Sequence, residues 1–201
     1  MSWEEDRKLP PGFRKLTDPR TMRALAHPTR LSLLELMARE GSVTVTRASE
    51  ALGESTASCS YHVRQLAKYG FVEPAGGGQG RERPWRRATR GQSYEEAGGD
   101  PATSAAAETL TSIIVERHMR TVMHWLESRR RDPDEWRRVA GFSDLMLYLT
   151  PGELADLDRR IFDVVEETGY ADRLDDPSAR PDDARAVSLI VFGIPLPPPG
   201  A

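Results

Sequence analysis

The amino-acid sequence predicts a mainly helical fold of the α+β class. Apolar residues recur at helical spacing in four short segments of residues 18–74, and a glycine-rich stretch between two short apolar runs follows them. A longer amphipathic pattern then covers residues 104–131. Together these patterns predict a helix-turn-helix with an appended β-hairpin, which is a winged helix, followed by one long helix and a small C-terminal α+β region.

Length and composition exclude several classes of protein. The 201 residues suffice for one ordinary domain and a second small one, and 38% of them are hydrophobic, which argues against disorder throughout. The single cysteine, Cys59, cannot form a disulfide framework or a cysteine-based zinc cluster within one chain. No apolar run approaches the roughly 20 residues that cross a bilayer, and residues 1–17 lack the apolar stretch of a signal peptide. We therefore expect a cytoplasmic protein without a membrane partner.

Proline and capping residues mark the first two predicted helices. Asp18 and Pro19 begin a helix over residues 18–26, and Pro28 begins a second helix that ends at Gly41. His27 lies between the two helices. We expect it to cap the second helix or to pack at the junction.

The next two predicted helices form the helix-turn-helix. A short extended link at residues 43–45 leads to a brief helix over residues 46–52, and Gly53 closes that helix. Ser55 is placed to cap a longer helix over residues 55–69. The hairpin follows directly, with arms at residues 71–75 and 81–89 around a flexible tip, and it completes a winged helix over residues 18–92.

The helix over residues 55–69 has two different faces on a helical wheel. Cys59, Val63 and Leu66 lie on an apolar face. The opposite face is rich in hydrogen-bond donors and has no acidic residue, which suits the major groove of DNA. The predicted DNA-binding residues of the helix-turn-helix are Thr46, Arg47, Ser55, Thr56, Ala57, Ser58, Ser60, Tyr61, Arg64, Gln65 and Lys68.

The predicted wing, residues 75–88, adds a cationic finger to this surface. Its arginines are expected to lie along the DNA backbone or in the minor groove, and they are Arg81, Arg83, Arg86 and Arg87. The charge distribution agrees with this interpretation: residues 18–90 contain twelve basic and seven acidic residues, whereas residues 91–201 contain twelve and twenty-one. The basic half is therefore expected to face a polyanion. A solvated charged hairpin is the alternative.

Two segments carry a resemblance to a known family. Residues 24–37 read ALAHPTRLSLLELM, and residues 44–73 read TVTRASEALGESTASCSYHVRQLAKYGFVE. These segments resemble the ArsR-type winged helix-turn-helix family of bacterial transcriptional regulators, and AHPTRL at residues 26–31 is the most specific part of the match. The resemblance covers about residues 18–90 and implies a dimeric repressor that binds a palindromic operator.

The resemblance does not extend to the metal sites of that family's sensors. Residues 46–53 lack the paired cysteines of the arsenic-sensing type, and His118 and His124 match the zinc-sensing type only faintly. Six residues along one helix place these two histidines on different sides, so two chains would have to share an ion. We expect no metal site and no cofactor.

The long helix over residues 104–131 is predicted to mediate dimerisation. Its apolar stripe, which includes Leu110, Ile114 and Val122, is broader than one small domain can cover. We therefore expect part of the stripe to meet the same helix of a second chain. Burial against the chain's own C-terminal part is the alternative, and the two are compatible.

Residues 132–195 are predicted to form a strand, a helix and a second strand. Residues 144–149 and 186–194 contain apolar runs typical of strands, and Thr150, Pro151 and Glu153 form a capping box for the helix between them. We expect this region to contribute to dimerisation or to bind an effector, with a partner chain as one way to complete the sheet. Residues 1–17 are predicted to be an arm and residues 91–104 a linker.

The sequence thus predicts a dimeric DNA-binding transcriptional regulator, a repressor by resemblance, that reads the major groove with residues 55–69. No phosphate loop, activated nucleophile or carboxylate cluster is found, so no enzymatic activity is expected. Operator DNA and a second copy of the chain are the expected partners, together with an unidentified small-molecule effector as a candidate. Three alternatives stay open: a winged helix that binds protein without binding DNA, a repressor that responds to a ligand or a metal, and an enzyme whose first domain is degenerate and whose second half holds a pocket with converging titratable groups.

Overall fold

Three of the four helices of the N-terminal half begin at the predicted capping residues, and the third helix begins at Thr44, which was not predicted as a cap. The computed structural model describes residues 12–78, 82–94 and 100–197. The Asp18 carboxylate accepts hydrogen bonds from the amides of Arg20 and Thr21 at 3.1 and 3.2 Å. His27 Nδ1 accepts one from the Thr29 amide at 3.2 Å, which confirms the capping role expected for His27. The four helices are α1 (Pro19–Leu25), α2 (Pro28–Glu40), α3 (Val45–Leu52) and α4 (Thr56–Lys68).

Helices α3 and α4 form the predicted helix-turn-helix. Gly53 follows α3 with φ of +67°, a left-handed conformation that favours glycine, and the chain turns there. Ser55 then caps α4 by accepting a hydrogen bond from the Ser58 amide at 3.1 Å. These caps fix where α4 begins and therefore which of its residues share a face.

A three-stranded antiparallel sheet forms the base of the wing. Its strands are β2 (Ser42–Val43), β3 (Val72–Pro74) and β4 (Trp85–Arg87), with β4 in the centre. The pairing of β3 with β4 confirms the predicted hairpin, and Glu73 lies opposite Arg86 in it. The link at residues 43–45 is replaced by β2 and the start of α3, so the sheet gains a strand from the segment between α2 and α3.

A second, parallel strand pair corrects two of the predicted boundaries. Strands β1 (Phe13–Lys15) and β5 (Gly91–Ser93) lie side by side, so the arm and the linker predicted at residues 1–17 and 91–104 are wrong where they overlap these strands. A Cβ atom at Gly91 would lie 2.5 Å from the Phe13 ring, so only glycine permits this approach. Three-residue strands this far apart leave no periodic signal in the sequence.

The long helix α5 (Pro101–Ser128) continues into a 3₁₀ turn at Arg129–Arg131, close to the predicted bounds. Its first turns belong to the N-terminal core, because Ala106, Ala107 and Leu110 are buried there and the helix packs against α1. Its later turns are different. Met119, Met123 and Leu126 are exposed, so the single chain covers only part of the apolar stripe.

The C-terminal region contains helices but no strands in residues 100–197. Helices α6 (Asp134–Val139) and α7 (Pro151–Glu167) precede two 3₁₀ turns at Tyr170–Leu174 and Pro177–Ala179. The capping box at Thr150 is confirmed. The strands predicted for residues 144–149 and 186–194 are wrong for this chain, since both stretches are extended without a paired neighbour. The apolar pattern reports a tendency for strand structure, whereas a sheet also needs a hydrogen-bonding partner.

The C-terminal region contacts the winged helix next to β5. The Arg90 guanidinium donates hydrogen bonds to the carboxylates of Asp172 and Asp175, both at 2.6 Å. Nearby, the rings of Phe13 and Phe162 meet edge to face with centroids 5.8 Å apart. The C-terminal half is therefore bound to the basic half by two ion pairs and, through α7, by an aromatic contact.

We predict that Leu110→Ala lowers the free energy of unfolding by about 2–5 kcal/mol, because Leu110 is fully buried between α5 and the N-terminal core. Chemical denaturation measures this loss. Leu174→Ala is the matched control, since Leu174 is 40% exposed and its truncation leaves a smaller cavity. Equal losses for the two variants would contradict the assignment of the first turns of α5 to the core.

Candidate nucleic-acid interface

Helix α4 is held in place by its buried face. Cys59, Val63 and Leu66 are at most 2% exposed and belong to the main core, as the helical wheel predicts. His62 is also buried, at 8% exposure. The buried side is therefore apolar except for one imidazole, and the packing fixes which side chains point outward.

The opposite face of α4 is open to solvent. Ala57, Tyr61, Arg64 and Lys68 are exposed, so their predicted placement is confirmed. The residues at the edges of this face are half-buried, as their predicted position between the two faces requires, and they are Ser58, Ser60 and Gln65. No carboxylate occurs between Ser55 and Phe71, so the only formal charges on this face are the positive charges of Arg64 and Lys68 in the second half of the helix.

The two cationic residues on this face, Arg64 and Lys68, make only weak contacts within the chain. Arg64 Nε donates a hydrogen bond to the Ser60 carbonyl at 3.2 Å, within the same helix. Lys68 Nζ lies 5.6 Å from the centre of the Tyr69 ring. Neither contact is an ion pair, so both side chains can reach toward a ligand without breaking one.

The polar residues at the start of the helix-turn-helix are exposed but partly engaged. Thr46, Ser55 and Thr56 lie at the surface near the amino ends of α3 and α4. Arg47 forms an ion pair with Glu40, in which two nitrogens lie 3.1 and 2.8 Å from the carboxylate oxygens, and this hydrogen bonding raises the pKa of Arg47. A phosphate would have to displace that carboxylate to bind Arg47.

The wing arginines differ in their exposure and in their hydrogen-bond partners. Arg83 is exposed, whereas Arg86 donates to the Glu73 carboxylate at 2.9 Å across the hairpin. Arg81 lies outside the residues that the structure describes.

Arg87 is not part of an exposed cationic finger, and that expectation was wrong. Its side chain is half-buried and donates to the carbonyl of Arg90, and burial lowers the pKa of Arg87. Alternation along β4 explains the difference: Arg86 points outward, and Arg87 shares the inward side with Trp85, which packs on the core. The alternation of inward and outward residues along β4 could have predicted that Arg87 faces inward, whereas the number of arginines in the wing could not.

Sequence reasoning missed a polar layer beneath α4. Arg30, from the AHPTRL segment, donates through Nη1 to the Ala24 carbonyl and through Nε to His62 Nδ1, the latter at 3.4 Å. The rings of His27 and His62 lie 4.4 Å apart, between the start of α2 and the inner side of α4. These side chains connect the end of α1, the start of α2 and α4. The layer therefore helps to hold α4 in its orientation against the other two helices.

The pKa of each imidazole in this layer is lowered, which favours the neutral form. Burial is the main reason that the pKa of His62 is lowered, with further contributions from His27 and Arg30. Burial and Arg30 likewise lower the pKa of His27, while Glu54 acts weakly in the opposite direction on both histidines.

No three side chains of the His, Cys, Asp or Glu types lie close enough to bind one ion in the described parts of the chain. His118 is half-buried and His124 is exposed on α5. Cys59 is buried, which raises the pKa of its thiol. The absence of a metal site stays a prediction.

A comparison with known protein families matches the part of the chain that contains α4. Residues 25–75 match a family described as a helix-turn-helix domain, and this range contains α2, α3, α4 and β3. The match indicates a DNA-binding regulator. A comparison with curated proteins finds no match for the chain. Among the helices of the described residues, none combines the length and the apolar character that crossing a membrane requires.

We predict that acidification destabilises the fold through His27 and His62. Because folding lowers the pKa of both imidazoles, the unfolded chain binds more protons once the pH falls below about 6.5, and the free energy of unfolding decreases there. Urea denaturation at about pH 7.5 and 5.5 measures this loss.

The variant His62→Gln isolates one of the two groups. Glutamine keeps an oxygen that accepts the Arg30 hydrogen bond but does not titrate, so a smaller loss of stability between the two pH values is expected. His124→Gln is the control at an exposed position and should retain the full loss. An unchanged loss in His62→Gln would show that His62 does not contribute to the effect.

Proposed function

We propose that this chain is a sequence-specific transcriptional regulator of the ArsR type that acts as a dimeric repressor in the cytoplasm. The observation that carries the proposal is the exposed face of α4, which is cationic and free of carboxylates while the rest of the helix is anchored in the core. A protruding helix with this chemistry fits the major groove of DNA.

The side chains of this face match the edges of base pairs. Arg64 is suited to two hydrogen bonds with guanine, and Gln65 to adenine. The hydroxyl groups of Ser60 and Tyr61 and the ammonium of Lys68 suit phosphates beside the groove. The face therefore combines groups that distinguish sequences with groups that bind the backbone.

The wing and the start of α3 would contribute phosphate contacts of different strength. Arg83 is exposed, so it is the stronger candidate of the described wing arginines. Arg47 and Arg86 would first exchange a carboxylate for a phosphate, because each is paired with a glutamate of the same chain. Arg81 remains a candidate from its position in the predicted wing.

Dimerisation is supported by the exposed half of α5. Met119, Met123 and Leu126 are 43%, 57% and 40% exposed on a helix whose first turns are buried. An apolar surface of this kind on one helix suits contact with the same helix of a second chain. Such a dimer would present two α4 helices to the two halves of a palindromic operator.

A mobility-shift assay with the DNA upstream of the protein's own coding region tests the proposed function. We expect a complex that forms more tightly on this DNA than on random DNA of equal length, and that persists in the presence of a chelator. Release by the chelator would indicate a metal-responsive repressor. The proposal would be refuted in favour of a protein-binding winged helix if the chain bound neither DNA and if charge reversal at Arg64 and Lys68 changed nothing in this assay.

We predict different effects for two arginine variants. Arg64→Ala should weaken specific binding by about 1–3 kcal/mol and relax the sequence preference, because it removes base contacts. Arg83→Ala should weaken binding to all sequences alike and reduce the slope of log affinity against log salt by about one.

Titrations of both DNAs over a range of salt concentrations measure these effects. Arg159→Ala is the control, since Arg159 is an exposed arginine on α7 that is paired with Asp156. Equal losses on specific and random DNA for Arg64→Ala would contradict its role in reading bases.

A further inference from the structure

A strongly acidic part of the C-terminal region is docked on the winged helix. We call residues 163–183 the acidic segment. It contains eight acidic and two basic residues, a net charge of −6, whereas residues 18–90 have a net charge of +5. The segment covers the end of α7 and both 3₁₀ turns that follow it. Side chains of the segment contact the basic part of the chain at Arg90 and at the end of α2.

The first contact places two carboxylates on Arg90. The Arg90 guanidinium donates through Nη2 to Asp172 and through Nε to Asp175, both at 2.6 Å. The Arg90 side chain is only 17% exposed, and it packs on Gly12, where an added Cβ would lie 2.9 Å from Arg90 Cγ and Cδ. The guanidinium is therefore held in one place. Two oxygen atoms on one guanidinium is also the arrangement in which arginine binds a phosphate group.

The second contact ties the acidic segment to the end of α2 through Arg180. Its Nη1 donates to the Arg39 carbonyl at 2.6 Å, and its Nη2 donates to the Ala38 carbonyl at 3.3 Å. Its Nε donates to the Arg173 carbonyl within the segment at 2.7 Å. The last carbonyls of a helix lack an intrahelical donor, so Arg180 supplies one from a distant part of the chain. One side chain thus joins the segment to the helix that precedes the helix-turn-helix.

Both contacts border residues that are proposed to bind phosphates. Pro177 of the acidic segment lies against Gly41, since an added Cβ there would be 2.8 Å from Pro177 Cγ. Gly41 follows Glu40, the partner of Arg47, and precedes strand β2 at the base of the wing. Arg90 lies just beyond strand β4 of the wing. The docked segment therefore brings negative charge to the flank of the proposed DNA-binding surface, where it would repel phosphates.

We propose that the acidic segment is an autoinhibitory contact, in which Asp172 and Asp175 occupy Arg90 in place of the phosphates of DNA. Arg90 is then a further phosphate-binding residue, available only when the segment leaves. Because the carboxylates belong to the same chain, their effective concentration at Arg90 is high, and DNA must displace them. The inference rests on the proposed function, since it concerns the regulation of the same DNA-binding surface.

The double substitution Asp172→Asn with Asp175→Asn tests the contact with Arg90. The two carboxylates are 73% and 60% exposed, so the change does not remove core packing. We expect the double variant to bind the upstream DNA about tenfold more tightly than the unmodified chain. The slope of log affinity against log salt should also steepen by about one, because Arg90 gains a phosphate. Adding Arg90→Ala to the double variant should remove this steepening, and an unchanged slope would overturn the role of Arg90.

Asp182→Asn with Asp183→Asn is the matched control for this variant. Both residues are exposed in the same segment and lie outside the contacts with Arg90 and α2, and their substitution changes the net charge by the same amount. We expect a much smaller gain in affinity for the control. Equal gains in the two double variants would mean that net charge alone matters, and would overturn the autoinhibitory contact.

Arg180→Ala tests the sign of the effect from the other end of the segment. The substitution removes a positive charge, which by itself would weaken DNA binding. The proposal predicts tighter binding, because the acidic segment loses its connection to α2. Arg159→Ala removes the same charge from α7 and is the control. Weaker binding by Arg180→Ala, in a chain that urea denaturation shows to be folded, would mean that the segment supports DNA binding, and would overturn the inference.

Hydrogen exchange with and without saturating upstream DNA measures the same competition from the side of the segment. Linkage is reciprocal, so DNA that competes with the segment must weaken its docking. We expect faster exchange in the complex at the amides of Asp175 and Arg180, which are hydrogen-bonded at the ends of the two 3₁₀ turns. The buried residues Ala107 and Leu110 of α5 provide the internal control. Slower exchange of the segment in the complex would overturn the inference.

These measurements separate a failure of the inference from a failure of the proposed function. If the chain binds the upstream DNA with the same affinity before and after the substitution of Asp172 and Asp175, the proposed function stands and the autoinhibitory contact is overturned. If neither the unmodified chain nor this double variant binds DNA, the proposed function is refuted and the inference falls with it. Binding by the double variant alone supports both.

Discussion

The burial of one side of α4 is the constraint on which the rest of the interface depends. Its apolar residues fix the helix against α1 and α2, and the hydrogen bond from Arg30 to His62 adds a polar connection on that side. A helix anchored along one face must project the other. The position of the cationic residues is therefore a consequence of core packing, because the charges themselves repel and would not gather without it.

Acidic residues of the same chain pair with several cations around this face. Glu40 binds Arg47 and Glu73 binds Arg86, while Arg64 bonds only to a carbonyl of its own helix. A phosphate gains little where it replaces an existing carboxylate, since one ion pair is exchanged for another. In the proposed complex, most of the favourable binding free energy would therefore come from α4 and Arg83. The internal ion pairs would also limit nonspecific attraction to polyanions.

The C-terminal half differs from the winged helix in how much of its apolar surface the single chain buries. The N-terminal core, including the first turns of α5, is closed within one chain. The later turns of α5 and residues 142–149 and 187–194 instead present apolar side chains to solvent. Under the proposed dimer, a second chain would cover the later turns of α5, whereas α4 packs within one chain and would be formed in either state. Assembly would thus control the spacing of two recognition helices without changing the fold of either one.

The sequence by itself determined the local elements and the two faces of α4, because caps, glycine turns and helical spacing act between near neighbours: Asp18, Gly53 and Ser55 fix their helix ends whatever surrounds them. Only the tertiary structure decided the contacts between distant segments. It paired β1 with β5, turned Arg87 inward, and left residues 144–149 and 186–194 without the strand partners that their composition favours. A strand partner or an inward-facing charge depends on which remote surface is available, and local preference contains no information about that surface.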